Sequence, residues 1–131
     1  MTRFLLDTDA LVDFSKGREP AYSSIMGWID AGDTVGSCAI TVAEFLSGLT
    51  PQEAQDWSEF VSSLTYWDIS VDDAVRAGQE RYAFARQGRS LSVADVLIAA
   101  ATREQGATLV TGNVGDYPMQ GITLCSLSRE T

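Results

Sequence analysis

Phe4-Leu5-Leu6-Asp7-Thr8-Asp9-Ala10-Leu11-Val12-Asp13 (residues 4–13) is the stretch from which the fold is read. Three large apolar residues stop abruptly at a carboxylate, and a short helix bounded by Val12 and the turn-forming Gly17 is expected after it. A short run that is apolar at every position is a strand buried on both faces, and sheets with both faces covered are parallel. The same alternation continues along the chain. Thr34–Ala39 reads as a second strand, followed by a helix with Val42, Phe45, Leu46 and Leu49 at positions i, i+3, i+4 and i+7. Tyr66–Ile69, Thr108–Val110 and Ile122–Leu124 read as three further strands. Helices are expected over Ala21–Ala31, from Pro51 to about Leu64, over Val71–Gln87 and over Val93–Glu104. The last of these is apolar on nearly all sides, as a helix buried against a sheet would be. Strands separated by helices give a single α/β domain over residues 1–131, with no repeat, linker or low-complexity tract.

Composition narrows the chemistry. The chain has 131 residues, 9 basic and 18 acidic, for a net charge of −9, and it has no histidine. Ser-His-Asp and Cys-His nucleophile systems, imidazole bases and His-containing zinc sites are therefore excluded. The acid excess opposes charge-driven, unspecific nucleic-acid binding, which needs clustered Lys and Arg. Cys38 and Cys125 stand apart at no metal-ligand spacing and read as small buried hydrophobes. Asp7, Asp9 and Asp13 interrupt the start as no signal-peptide core would tolerate, and no apolar run is long enough to span a bilayer. A cytoplasmic protein without a membrane partner is expected.

The reactive crevice of an open α/β sheet lies beyond the carboxyl ends of its strands. Asp7 closes the first strand, while Asn113 and Asp116 follow the strand Thr108–Val110. Glu44 and Asp95 fall in the first turns of their helices on this reading, and Glu44 lies about 200° from the apolar stripe of its own helix. These positions are able to share one crevice. A competing reading exists for two of them: Thr41-Val42-Ala43-Glu44 and Ser92-Val93-Ala94-Asp95 both fit the capping box, as does Ser70-Val71-Asp72-Asp73. Asp7 is able to cap the helix after it, and Asn113–Pro118 is also good turn sequence. If the carboxylates do converge, two charges about 4 Å apart repel by roughly 4 kcal/mol at an effective dielectric near 20. Raised pKa values or a hard cation relieve that repulsion, and all-oxygen ligands favour Mg2+ or Mn2+.

Four segments carry a resemblance: LLDTDALVDF (residues 5–14), TVAEFLSG (41–48), SVADVLIAAAT (92–102) and TLVTGNVGDYP (108–118). In order and separation they resemble the PIN-domain family, and within it the VapC-type ribonuclease toxins of toxin–antitoxin pairs. The resemblance implies a PIN-like α/β/α sandwich with a five-stranded parallel sheet. It further implies Mg2+-dependent hydrolysis of RNA phosphodiester bonds, a cognate antitoxin protein as partner, and a homodimer. It assigns Asp7, Glu44 and Asp95 to the metal-binding core, with a fourth position in the loop of Asn113 and Asp116. Thr8 and Thr111 would support these acids through their hydroxyls. Two positions depart from the family pattern. Asp9 stands where Asn or Ser is usual, and Asn113 is an amide where a fourth acid is sometimes found, which leaves Asp116 as the charged candidate.

Asp9 also supports a rival. An apolar strand followed by Asp-x-Asp opens the haloacid-dehalogenase-like phosphatases, with Asp7 as nucleophile and Asp9 as acid/base. That chemistry needs a cation near a later strand, whereas the lone lysine, Lys16, follows the first helix. A PIN-like module that only binds is the other alternative. For RNA contact the sequence offers Arg81, Arg86 and Arg89 with Tyr82 and Phe84 interleaved, which also fits a solvated helix face. Met26, Trp28, Phe45, Leu46, Trp57 and Phe60 are more apolar surface than one small sheet obviously needs, and a groove for an antitoxin helix is expected among them if they are not simply core.

Overall fold

Strand β1 (Arg3–Leu6) lies at the centre of a five-stranded, wholly parallel sheet in the computed structural model, which describes residues 1–127. On one side it pairs with β2 (Thr34–Ser37), which pairs with β3 (Thr65–Tyr66). On the other side it pairs with β4 (Thr108–Thr111), which pairs with β5 (Thr123–Ser126). Six α-helices occur among the described residues: α1 (Thr8–Ser15), α2 (Ala21–Asp30), α3 (Ala39–Ser47), α4 (Pro51–Ser63), α5 (Val71–Arg86) and α6 (Val93–Glu104).

Alternation along the strands divides the apolar side chains between two cores. Phe4 and Leu6 face one with Val35 and Val110, where α1 to α4 pack. Leu5 and Leu109 face the other, beneath α5 and α6. Leu5, Leu6, Leu109 and Val110 are completely buried, each contributing about 1.5–3 kcal/mol by transfer from water. The result is an α/β/α sandwich with β1 and β4 in its middle. Aromatic rings complete the first core: Trp28 stacks on Phe4 at 3.9 Å, and Trp57 meets Phe14, Phe45 and Phe60 edge-on. Most of the apolar excess in residues 21–64 is thus spent inside the molecule.

The elements follow the sequence pattern, with three shifts at the strands. β2 stops at Ser37 rather than Ala39, because Cys38 is extended and forms the N-cap of α3. The Thr41 hydroxyl accepts the Cys38 N–H at 3.1 Å, so the helix begins three residues before the Thr41 start suggested by the capping pattern. β3 is only Thr65–Tyr66, not Tyr66–Ile69, since Trp67 leaves the strand and lays its ring over β2. A Cβ on Gly36 would lie 2.5 Å from that ring, so only glycine fits beneath it. β5 runs one or two residues later than Ile122–Leu124, in register with β4 from Thr108↔Thr123 onward. On the second face α6 is clamped to α5 by Arg103, whose guanidinium donates to both Glu80 carboxylate oxygens at 2.9 and 3.2 Å.

Candidate functional site

The loops after β1, β2 and β4 and the start of α6 converge at the carboxyl edge of the sheet on one cleft of about 180 Å³. Its lining is Asp7, Thr8, Asp9, Glu44, Asp95, Ile98, Asp116 and Tyr117. All four acids singled out as candidates are there, each from a different segment of the chain. No lysine or arginine is among the lining residues.

Asp7 is the deepest, 3% exposed, and it is also the N-cap of α1. Its Oδ1 accepts the Ala10 N–H at 3.0 Å, and the Tyr117 hydroxyl is directed at its Oδ2 from 3.4 Å. Burial pushes the Asp7 carboxyl up from 3.8 to about 6, against the opposing pull of hydrogen bonds from Thr111 and Ala10. The negative charge of Asp9 adds to the rise. Thr111, itself fully buried at the end of β4, accepts the Asn113 N–H at 3.0 Å and so ties the β4 loop to the floor beneath Asp7.

Glu44 is exposed and lies past the first turn of α3. The expectation of a first-turn acid is therefore corrected, and with it the Thr41–Glu44 capping box: Cys38 and Thr41 occupy the cap. Glu44 instead accepts the Thr8 hydroxyl at 2.6 Å, a tether from α3 to the first turn of α1. Asp95 does stand in the first turn of α6, and the Ser92 hydroxyl accepts its N–H at 3.0 Å. Unlike Asp73 on α5, it does not complete the box by returning to the cap's N–H; its carboxyl lines the cleft. Burial raises its pKa, with Asp116 and Glu44 adding repulsion. Asp9 is raised likewise, by burial first and then by Asp116, Asp13 and Glu44. Asp116 ends the 3-10 helix Val114–Asp116 after β4 and faces the same space.

Asn113 is exposed and does not line the cleft, so of the two loop candidates only Asp116 reaches it. Tyr117 was not anticipated. It is 4% exposed, its phenol is held above its ordinary range by burial and by the charges of Asp7 and Asp95, and it stays a proton donor. A hydroxyl-bearing aromatic directly after Asp116 was the signal available for it. Of the arginines, Arg89 donates to the Gly115 carbonyl at 2.6 Å, which sets it at the rim beside Asp116. Arg81 is tied to the Leu91 carbonyl and Arg86 lies over the Tyr82 ring. Phe84 is half-buried, while Tyr82 is exposed. Lys16, required by the phosphatase alternative, is exposed at the end of α1 and does not line the cleft.

This is a cleft of like charges with no cationic side chain to balance them. The carboxyls are splayed: as folded, no three His, Cys, Asp or Glu side chains among the described residues stand close enough to grip one ion. The donor chemistry nonetheless suits a hard divalent cation, since every acidic ligand is oxygen and the charge is otherwise relieved only by protonation.

The PIN domain family model matches residues 4–115 of the chain. Ribonuclease VapC19 of Mycobacterium tuberculosis is 29% identical over 118 residues, spanning 88% of this chain and 92% of that protein. The tRNA(fMet)-specific endonuclease VapC of Shigella flexneri is 28% identical over 126 residues, spanning 92% of this chain and 94% of that one. The fold is similar to a chain in the crystal structure of VapBC2 from Rickettsia felis bound to a DNA fragment from their promoter. There the TM-score is 0.83 at 22% identity, with 97% of this chain and 100% of that chain covered.

Proposed function

The chain belongs to the PIN-domain family, and from that premise we propose that it is a VapC-type ribonuclease, the toxin of a toxin–antitoxin pair, which hydrolyses RNA phosphodiester bonds with Mg2+ or Mn2+ held by its acid cleft. The observation that carries this reading is the meeting of Asp7, Glu44, Asp95 and Asp116 in one cleft that contains no basic side chain. The ribonuclease and endonuclease relatives span nearly the whole chain, which favours catalysis over a module that only binds.

Asp7 and Asp95 would hold the ion directly. Glu44 and Asp116 would hold a second ion or orient the attacking water. A bound cation supplies Lewis-acid polarisation of a phosphoryl oxygen and acidifies water at neutral pH, the task for which this chain has no histidine. Thr8 fixes one oxygen of Glu44, leaving the other free to accept a proton from that water. Hydrolysis places the water's hydroxyl on phosphorus and releases the 3′ oxygen as a hydroxyl, with the spare proton passing through the carboxylate. Tyr117, itself in the cleft lining, donates its hydroxyl toward the Asp7 carboxylate and so helps to orient it. Arg89, anchored at the rim, contributes a positive charge near the path of the RNA backbone.

A small antitoxin protein is the expected partner, and the relatives found as VapBC structures support one. Ile29 and the outer part of Tyr22, whose ring stacks on Phe14 at 5.3 Å, stay exposed on α2 and suit a helical segment laid against that helix. Among the described residues no helix is long and apolar enough to cross a membrane.

The test is cleavage of a structured RNA in Mn2+ or Mg2+ by the wild type and by Asp7→Asn. Loss of cleavage in the variant, and in wild type treated with a chelator, is expected. Unchanged cleavage by Asp7→Asn would remove Asp7 from the site, and a trapped phosphoaspartate would revive the phosphatase alternative.

A further inference from the structure

Asp7, Ile98 and Tyr117 are the buried members of the cleft lining, and of these Tyr117 brings a hydroxyl. Its ring belongs to the core of Leu5, Val96, Ile98 and Leu109 beneath α5 and α6. Its backbone N–H donates to the Val114 carbonyl at 3.1 Å and so closes the 3-10 helix that also carries Asp116. A phenol held at its backbone end and along its flanks aims its hydroxyl at one place. That place lies between the two acids assigned to the ion. The hydroxyl is directed at Asp7 Oδ2 from 3.4 Å, and the same hydroxyl draws the Asp95 carboxyl down against the effect of burial. The Asp7 contact is longer than the roughly 2.7–2.8 Å of a relaxed O–H···O bond, which suits a donor facing two acceptors.

Asp7 is held from its protein side by more than this one group. Oδ1 accepts the Ala10 N–H at 3.0 Å, and the Thr111 hydroxyl bonds to the same carboxyl. A carboxylate has about four acceptor sites, so three donors fix its plane and leave the remainder for the cleft. Core packing alone would be met by phenylalanine. A buried phenol needs a hydrogen-bond partner, and here the partner is the deepest acid of the site. A neutral donor between two carboxylates offsets part of their repulsion before any ion arrives.

We propose that Tyr117 is a positioning residue of the metal site: its hydroxyl, giving its single proton to Asp7 beside Asp95, holds the two carboxylates in place for a divalent cation and tightens the binding of that ion. This rests on the metal-dependent nuclease reading and adds a residue to it. Calorimetric titration of Mn2+ into the full-length chain without RNA tests it. Tyr117→Phe is expected to bind Mn2+ about tenfold more weakly than wild type, the lower end of what loss of a metal ligand's hydrogen-bond partner costs. The Mn2+ concentration for half-maximal cleavage of a structured RNA rises by the same factor, while urea unfolding stays cooperative. Tyr66→Phe, which removes an exposed hydroxyl on β3, leaves Mn2+ affinity unchanged. A second measurement needs no variant. Mg2+ added to wild type gives a difference signal in the tyrosine ultraviolet band, because a cation on Asp7 draws charge from the bond that Tyr117 donates; Tyr22, Tyr66 and Tyr82 are exposed and outside the cleft. Tyr117→Phe that binds Mn2+ as tightly as wild type overturns the proposal, as does a wild type that binds Mg2+ with no tyrosine signal. In either case a wild type that binds metal and cleaves RNA keeps the nuclease reading. A wild type that binds neither ion removes both.

Discussion

Ser70–Asp73 and Ser92–Asp95 are the same four-residue motif at the starts of two neighbouring helices, and the fold uses them differently. At α5 the box is closed: Ser70 takes the Asp73 N–H at 3.0 Å and Asp73 takes the Ser70 N–H at 3.1 Å. At α6 only the first half forms, and the carboxyl that would complete it lines the acid cleft. What separates them is what lies ahead of each helix. The start of α5 does not border the acid cleft, and there Asp73 satisfies the local N–H. The start of α6 faces the cleft of Asp7, Glu44 and Asp116, and the pKa of its aspartate is raised first by burial and then by the charges of Asp116 and Glu44. Asp95 leaves its box half-formed and lines a cleft with other acids, so it caps its own helix less fully than Asp73 caps α5.

That contrast is open to direct attack, and the largest effect belongs to the cleft. Asp95→Asn should reduce RNA cleavage by at least about a hundredfold, more than the 10–100-fold typical of outer-shell metal partners, whereas Asp73→Asn should leave initial rates unchanged. A second comparison uses pH and no RNA. Asp7 has its folded pKa raised, so the protonated form is the one that the native state favours. Its contribution to stability is complete below the unfolded value near 3.8 and is lost as pH rises through about 6. Metal-free wild type should therefore be weaker at pH 8 than at pH 4 by about 2.4 kcal/mol from this group. Chemical denaturation of Asp7→Asn should show this difference removed, while Asp73→Asn should retain it. Added Mg2+ should raise the wild-type Tm at pH 8 and do so far less for Asp95→Asn.

Smaller effects sharpen the same distinction. Asp73→Ala breaks a complete box and should cost about 1 kcal/mol in urea titration. Thr8→Val frees Glu44 without removing it, and cleavage should fall several-fold with folding stability nearly unchanged, a test of whether the 2.6 Å tether positions that acid.

Much of this was legible beforehand, for physical reasons that differ from place to place. β1 and β4 were plain because doubly buried strands leave continuous apolar runs ended by polar residues, Asp7 and Thr111. α5 and α6 were plain from their Ser caps and long apolar periods. β3 was not, because its two residues are exposed and its identity depends on pairing with Gly36 and Ser37. The start of α3 was misread since cysteine is a weak cap, and Thr41 drew attention from the Cys38 position that does the capping. Within the cleft, Asp7, Asp95 and Asp116 were legible from their relation to strand and helix ends, whereas Glu44 was legible from its place off the apolar stripe of α3, its expected first-turn position being wrong. Tyr117 and the inclusion of Asp9 in the lining depend on how the chain returns after the 3-10 helix, and no periodicity encodes that path.

Asp7 caps α1 with one oxygen and turns the other to the cleft, and this gives mutation an uneven road. Asparagine caps a helix as well as aspartate does, so a single Asp7→Asn change keeps α1 anchored and removes only the charge. Alanine removes both and weakens the fold. Lineages that silence such a chain while retaining it as a folded binding partner would drift through asparagine at this position, and a survey of inactive copies should find the amide there far more often than any small residue.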